Sequence, residues 1–240
     1  MKKIILNVDD FGLTKGVNDA VLELSKQGLV KSTTALVNSP YFAEDIKKTV
    51  DYDLDVGIHL TIDLFNAELF HPSLCDENNL FHKAKTHSLN RSLDSDVIYR
   101  EWKSQIEKFI QVAGFKPTHI DSHHHAHVVN SDANIAVKRL GEEYNLVIRH
   151  NTNNKYTAHC TGDFYGENVN PDLLMTTMTN LLEVEADYLE VMMHPAFVDE
   201  ELKTISSYNT ARMKEYEAII SKEFKTFIEQ NNIEISKFTN

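Results

Sequence analysis

Near its middle the chain reads Thr118-His119-Ile120-Asp121-Ser122-His123-His124-His125-Ala126-His127, in which a strand candidate runs directly into four histidines within five positions. If the backbone stays extended, Asp121 and His123, His125 and His127 share one face, whereas in a helical turn His123 and His127 are neighbours. Either geometry brings two imidazoles together, and imidazole with carboxylate suits a divalent ion that keeps open positions for water. Solvated loop histidines are the alternative interpretation.

Polar side chains also occur at the ends of other apolar runs that are typical of buried parallel strands. These are Asp9-Asp10-Phe11-Gly12 after Ile4 to Val8, His59 in the run from Val56 to Leu60, Arg149-His150 after Leu146, and His194-Pro195 after Tyr188 to Met193. The carboxyl ends of parallel strands meet at one rim of a barrel, where catalytic groups collect. We therefore expect Asp, His and Arg side chains from five strands to meet there.

Strand-like runs alternate with helical patterns along the chain, which indicates an α/β fold. Seven strands are predicted, at Ile4–Val8, Thr33–Val37, Val56–Leu60, Thr118–Asp121, Leu146–Arg149, Tyr188–Met193 and Ile233–Ile235. The first strand is not followed by GxGxxG and the chain has no GxxxxGK[ST] loop, so dinucleotide-binding and P-loop folds are disfavoured. We predict a single-domain irregular (β/α) barrel of about seven parallel strands over residues 1–240. A long loop or lid is expected from Thr61 to Ser95, and a long helix from Ser207 to Gln230.

Composition narrows the class of function. Lys and Arg number 24 and Asp and Glu number 36 in 240 residues, a formal net charge of −12, which disfavours nucleic-acid binding. Two cysteines, Cys75 and Cys160, cannot build a disulfide framework. The first apolar run meets a carboxylate too early for a signal peptide, and no stretch approaches the roughly 20 apolar residues of a membrane span. A cytoplasmic protein with no membrane partner is the expectation.

The adjacent carboxylates of Asp9 and Asp10 repel each other in a semi-buried cleft unless a cation compensates them. Strand alternation points them to opposite sides, so they share one site only if the chain turns there, which Gly12 allows. Capping of the helix that begins near Lys15 is the alternative interpretation. A lone histidine after an apolar run is more often a packed core residue. His59 and His194 are nevertheless candidates for the site, because each lies at a strand end like the other polar residues.

Taken together, these motifs resemble the YdjC-like carbohydrate deacetylases, and within that family the chitooligosaccharide deacetylases. The resemblance rests on Asn7-Val8-Asp9-Asp10-Phe11-Gly12-Leu13, Ser32-Thr33-Thr34-Ala35-Leu36-Val37-Asn38, Gly57-Ile58-His59-Leu60, the histidine run and His194-Pro195. It implies a barrel-like deacetylase fold and removal of an N-acetyl group from a small N-acetylglucosamine oligosaccharide. It also implies one divalent ion, usually magnesium, held by Asp10, His59 and His123. By motif position Asp9 is the general base and His194 the general acid.

The mechanism implied by the resemblance is metal-assisted amide hydrolysis. The ion polarises the acetamide carbonyl and holds the attacking water, Asp9 removes a proton from that water, and His194 protonates the departing amine. Asp121 is expected to orient a ligating histidine, and His127 and Arg149 to contact the substrate. Imidazole ligands suit zinc or cobalt better than magnesium on chemical grounds, so the identity of the metal stays open.

Other functions stay compatible with the same residues. They are hydrolysis of a phosphate ester or another amide, a non-catalytic sugar-binding role, and metal storage or sensing. One clear three-ligand set favours amide hydrolysis over the two-metal chemistry common for phosphates, although His125 and Asp121 could hold a second ion. The presence of both Asp9 and His194 argues against a non-catalytic role. The apolar side chains of the lid are expected to cover the site or to form a homodimer contact, namely Leu64, Phe65, Leu69, Phe70 and Leu74.

Overall fold

A computed structural model describes residues 2–83 and 92–239 of the chain. Its strands are β1 (Lys2–Phe11), β2 (Ser32–Ala35), β3 (Asp55–Leu60), β4 (His119–Ser122), β5 (Val147–Ile148), β6 (Ala158–Thr161), β7 (Tyr188–Met193) and β8 (Ile233–Ser236). They form one parallel sheet in the order β5-β4-β3-β2-β1-β7-β6, and β8 pairs with the first residues of β1. Each pair of neighbouring strands in this order is parallel, as the predicted α/β fold requires.

The two ends of the sheet, β5 and β6, face each other and leave the barrel nearly closed. The short connection between them folds back on itself, since the Ala158 amide donates to the Asn151 carbonyl at 2.9 Å. The Ile148 amide at the end of β5 donates to the Tyr156 hydroxyl of the same connection, also at 2.9 Å. The predicted irregular α/β barrel is therefore confirmed, with its opening between β5 and β6.

Helices cover the outside of this barrel. They are α1 (Lys15–Lys26), α2 (Pro40–Asp45), α3 (Ser95–Ala113), α4 (Ala126–Val129), α5 (Ser131–Tyr144), α6 (Pro171–Leu181), α7 (Glu200–Ile205), α8 (Thr210–Ile220) and α9 (Lys222–Gln230). Each of α1, α3 and α5 buries one apolar stripe, and Trp102 and Phe109 of α3 are fully buried. Within the described part of the chain, no helix is both long and apolar enough to cross a membrane.

Two elements differ from the sequence-based prediction. The strand β6 was missed because Ala158 to Thr161 alternates buried and half-exposed positions in a polar stretch, without an apolar run. The predicted helix from Ser207 to Gln230 is two helices, α8 and α9. Ser221 separates them with an extended ψ of 151°, and its side chain accepts from the Phe224 amide as the N-cap of α9.

The predicted lid from Thr61 to Ser95 has neither a helix nor a strand at residues 61–83 and 92–94, and its residues 84–91 lie outside the described ranges. Its backbone is held by two antiparallel bridges, Asn66 with Leu80 and Cys75 with Phe81. Leu74 was expected among the exposed apolar side chains and is instead fully buried, because it packs into the main core. Phe70 is 63% exposed, so an apolar surface does remain on this loop.

The glycine of Gly57-Ile58-His59 is required by a neighbouring ring. A Cβ at residue 57 would lie 2.6 Å from Cε1 of His119, whose buried ring stacks on Phe238 at 3.9 Å between ring centroids. We expect Gly57→Ala to lower the free energy of unfolding by about 1–3 kcal/mol, because the added methyl group fits only if the buried His119 ring moves. Urea denaturation measures the change. Gly162→Ala is the matched control, since its Cβ meets only the mobile end of Met192 at 3.2 Å; an equal effect of the two changes would contradict the steric explanation.

Candidate active site

A turn at the end of β1 brings two adjacent carboxylates to the same side. Asp10 has a left-handed φ of +71°, and the pairing of β1 with β2 shifts register between Val8 and Phe11. The next residues are fixed by the Gly12 amide, which donates to the Asn18 side chain at 2.5 Å. Because the chain departs from strand geometry at Asp10, both Asp9 and Asp10 line one cleft. A non-glycine residue in this conformation is strained, which is typical of functional sites.

The cleft lies at the carboxyl ends of the strands and has a volume of about 370 Å³. Asp9 and Asp10 come from β1, His59 from β3, His123 from the turn after β4, and His194 from the residue after β7. Four of the five predicted strand ends therefore supply groups to this cleft. The fifth, the end of β5, supplies Arg149, which is buried behind the cleft wall.

His59 lies between two carboxylates. Its Nδ1 is 2.6 Å from Oδ1 of Asp121, and its Nε2 is 3.3 Å from Oδ1 of Asp10. Burial lowers the pKa of His59, but the charge of Asp121 and the bond to Asp10 outweigh it and hold the pKa well above its usual value. The contact with Asp121 fixes the ring, so that Nε2 points at Asp10.

His123 is held in the same manner by a residue of the lid. Nδ1 of His123 is 2.9 Å from Oδ1 of Asp63, and the second oxygen of Asp63 binds Nδ1 of His124 at 2.6 Å. The rings of His59 and His123 lie edge to face with centroids 5.8 Å apart. Asp63 was missed by the sequence analysis because it lies in an irregular loop, three residues beyond the end of β3.

The predicted ligands of a divalent cation, Asp10, His59 and His123, line the same cleft. Oδ1 of Asp10 is buried and accepts no aligned hydrogen bond from the described residues. Each of the two histidines has Nδ1 bound to a carboxylate, the arrangement by which proteins orient a metal-ligating Nε2. A cation that bound here would displace the proton between His59 and Asp10, so its affinity should fall as the pH is lowered.

Among the described residues, two sets of acidic and histidine side chains are compact enough to hold an ion, and neither is the predicted set of Asp10, His59 and His123. They are Asp63 with His123 and His124, and Asp9 with His59 and Asp121. The second set already surrounds the Arg149 guanidinium, whose Nη2 is 2.6 Å from Asp9 and 2.8 Å from Asp121. A second ion held by His125 and Asp121 does not fit, because Asp121 is fully buried against Arg149 and His59.

Arg149 binds carboxylates through every nitrogen of its guanidinium. Nη1 and Nη2 form a bidentate pair with Asp9 at 2.7 and 2.6 Å, and Nε binds Glu190 at 2.9 Å. Burial raises the pKa of Asp9, but the charge of Arg149 outweighs it and keeps that pKa far below its usual value. Burial raises the pKa of Glu190 to about 7. The expected substrate contact by Arg149 is therefore replaced by a supporting role, in which it fixes Asp9 as an anion.

His127 also lies outside the cleft. Its Nδ1 is 2.6 Å from the Ser122 hydroxyl and its Nε2 is 3.1 Å from the Arg149 carbonyl. Only 1% of the residue is exposed, so neither ring nitrogen is available to a substrate. The backbone explains this outcome, since His124 and His125 both have a positive φ and turn the chain between His123 and His127. Neither the extended nor the helical spacing expected for this run occurs.

His194 lines the cleft from the residue directly after β7. Its Nε2 is 3.9 Å from Oδ2 of Asp9, and its backbone amide donates to the buried Glu215 carboxylate. Burial, followed by the charge of Arg212, lowers the pKa of His194 to about 4. The imidazole is therefore neutral at pH 7.

Three further cleft residues, Arg212, Tyr165 and Tyr208, were not predicted from the sequence. Arg212 lies near the amino end of α8, and the two tyrosines lie in connections that do not directly follow a predicted strand. Arg212 donates to Oδ2 of Asp10 at 2.7 Å, whereas Oδ1 of Asp10 faces Nε2 of His59 at 3.3 Å. Burial raises the pKa of Asp10, but the charge of Arg212 outweighs it, so the pKa lies well below its usual value. Tyr165 stacks on Tyr208 with centroids 4.1 Å apart, and 49% of Tyr165 is exposed.

Known proteins resemble this chain over most of its length. The family model described as YdjC-like protein matches residues 3–230. A carbohydrate deacetylase of Thermoanaerobacter pseudethanolicus is 36% identical over 100% of this chain and 99% of its own length. One from Enterococcus faecalis is 32% identical, with 99% and 97% covered.

Solved structures show the same fold. A crystal structure from Enterococcus faecalis V583, described as a candidate cellobiose-phosphate cleavage protein, superposes with a TM-score of 0.89 at 31% identity and covers 99% of this chain and 97% of its own. A family 4 carbohydrate esterase from Streptomyces lividans, solved with acetate, has a TM-score of 0.57 at 12% identity over 98% of this chain and 92% of its own, which indicates a shared fold.

Proposed function

The chain belongs to the YdjC-like protein family, and we propose that this carbohydrate deacetylase removes an N-acetyl group from a small N-acetylglucosamine oligosaccharide with one divalent cation. The names of the full-length relatives support the sugar deacetylation. The observation that carries the proposal within the site is the buried Oδ1 of Asp10, which faces Nε2 of His59 at 3.3 Å without an aligned hydrogen bond from the described residues, with Asp9 and His194 in the same cleft.

Asp10, His59 and His123 would hold the cation. When bound, a divalent cation polarises the acetamide carbonyl and lowers the pKa of a water molecule, which is the chemistry that amide hydrolysis needs. Arg212 occupies the second oxygen of Asp10 at 2.7 Å, and so limits Asp10 to one oxygen as a ligand. Imidazole ligands favour zinc or cobalt, whereas the family resemblance favours magnesium.

Asp9 and His194 would move the protons. Arg149 holds Asp9 unprotonated and in one orientation, which would place it to accept a proton from the attacking water; the lowered pKa of a cation-bound water would offset the weak basicity of Asp9. Its low pKa means that it also gives this proton up easily. Neutral His194, 3.9 Å away, would take it and protonate the leaving nitrogen as the C–N bond breaks. One water adds its oxygen to the acetyl carbon, and acetate and a free amine leave.

The exposed ring of Tyr165 provides a surface for the sugar at the cleft wall. Sugar rings carry apolar C–H faces that pack on aromatic rings, and Tyr165 is itself supported by Tyr208. We expect Tyr165→Ala to raise KM for every oligosaccharide by about tenfold with little change in kcat, while Tyr165→Phe stays close to the original protein. Steady-state kinetics on the dimer and the tetramer of N-acetylglucosamine check this. A fall in kcat with an unchanged KM would contradict a binding role.

An acetate-release assay tests the proposed function. The protein is stripped of metal with a chelator and then given magnesium, zinc or cobalt, with N-acetylglucosamine oligomers of two to four sugars as substrates. We expect no acetate without a metal and restored release with at least one of them. A generic phosphate monoester is the comparison substrate, because phosphate hydrolysis by the same residues is the rival function. Phosphate release without acetate release would overturn the proposal, and binding of the oligomers without turnover would indicate a non-catalytic protein.

A further inference from the structure

Three histidines outside the proposed catalytic set form a file that begins at the cleft. His125 lines the cleft, and its ring lies 6.1 Å from that of His150, which in turn lies 6.2 Å from that of His159 on β6. His150 is exposed, and His125 and His159 are partly exposed. The file therefore leads from the cleft toward the opening of the barrel between β5 and β6.

The ring nitrogens of these histidines are not engaged, unlike those of their neighbours. His59, His123, His124 and His127 each bind a carboxylate, a hydroxyl or a carbonyl. In contrast, residues 2–83 and 92–239 supply no side-chain hydrogen bond or ion pair to His125, His150 or His159, and Nδ1 of His125 is buried without a partner. A neutral imidazole offers one donor and one acceptor, so the file carries unused hydrogen-bonding capacity.

The chemistry of the file favours a neutral ligand. Burial, followed by the charges of Arg149 and His159, lowers the pKa of His150 to about 4, so its ring is uncharged at neutral pH. The three rings do not form a compact set of metal ligands, since they follow one another in a line. His150 also has a left-handed φ of +56°, a strained conformation that non-glycine residues adopt mainly at functional sites.

From the free nitrogens and the line of rings we infer that His125, His150 and His159 form a binding subsite for the neutral sugars that adjoin the deacetylated one. Imidazole donors and acceptors match sugar hydroxyls, and the ring faces match the C–H faces of pyranoses. This inference rests on the proposed function and extends it to chain length. A longer oligosaccharide would leave the cleft past His125 and lie along His150 and His159.

Two variants test the subsite by chain length. His150→Asn keeps a residue that tolerates a positive φ while removing the ring, and His159→Ala removes the outer ring. We expect each to raise KM for the N-acetylglucosamine tetramer roughly fivefold, with kcat and the KM for the dimer unchanged. His71→Asn in the lid is the control, because His71 is in neither the cleft nor the file and should change neither KM. An equal rise for dimer and tetramer, or none for either, would overturn the inference.

A binding measurement on the unaltered protein does not depend on folding of the variants or on turnover. NMR signals of the histidine rings are recorded on the metal-stripped protein with the dimer and then with the tetramer. We expect the His150 and His159 signals to shift with the tetramer and not with the dimer. Such shifts without acetate release by the metal-loaded protein would support the subsite and refute the deacetylase function. Acetate release without these shifts would refute the subsite alone.

Discussion

Replacing Asp9 by asparagine is expected to lower kcat for acetate release by about 10²–10⁴-fold, the usual contribution of a general base. The amide keeps the size of the side chain but cannot accept the proton of the attacking water. Arg149 retains Asp121 and Glu190 as partners at 2.8 and 2.5 Å, so the variant should fold. Single-turnover and steady-state kinetics with the N-acetylglucosamine dimer measure the loss.

Two controls separate this effect from damage to the site. Cobalt binding by Asp9→Asn should stay close to that of the original protein, because Asp9 is not among the proposed ligands. Asp19→Asn changes an exposed carboxylate that, among residues 2–83 and 92–239, pairs only with Lys15, and it should leave kcat unchanged. Full activity of Asp9→Asn would show that another group removes the proton, and a lost cobalt site would show that Asp9 is a ligand.

Replacing Arg149 by methionine is expected to lower the free energy of unfolding by about 3–5 kcal/mol, because it removes one partner of a buried charge cluster. Asp9, Asp121 and Glu190 would be left buried, close together and without their cation. Arg139→Met is the matched control: its guanidinium pairs at the surface with Asp96, and such exposed pairs contribute about 0–1 kcal/mol. Denaturant unfolding at pH 7 compares the two.

The same cluster predicts a partial rescue. Burial raises the pKa of Glu190 to about 7, so its charged form is held only weakly near neutral pH, and Glu190→Gln removes one of the unpaired charges at low cost. We expect the double variant of Arg149→Met and Glu190→Gln to be more stable than Arg149→Met alone. If Arg149→Met and Arg139→Met lowered the free energy of unfolding by the same amount, Arg149 would not be balancing the charges of the buried carboxylates.

The barrel and most of the cleft follow from local sequence patterns. Buried parallel strands produce apolar runs that end in polar residues, and these runs identified Asp9, Asp10, His59, Asp121 and Arg149 with their strand ends. The pattern could not tell which of these side chains face the cleft and which support it from behind. That distinction depends on a strained turn at Asp10 and on the two positive φ values at His124 and His125, which no periodicity records.

The remaining site residues come from parts of the chain without a strand-end signal. Asp63 lies in the irregular lid, and Arg212 lies in the first turn of α8, where an arginine is ordinary on the surface of a helix. Each is defined by a partner far away in the sequence, His123 for Asp63 and Asp10 for Arg212. Tertiary packing alone brings these pairs together, so a single sequence does not reveal them.

The position of the cation tests the central claim most directly. Crystals grown with cobalt or zinc and measured at the absorption edge of that metal give the ion as an anomalous peak. The account predicts one peak within about 2.0–2.2 Å of Oδ1 of Asp10 and of the Nε2 atoms of His59 and His123. A peak at Asp63 and His124 that leaves Asp10 without a ligand bond, or no peak in the cleft at saturating metal, would contradict it.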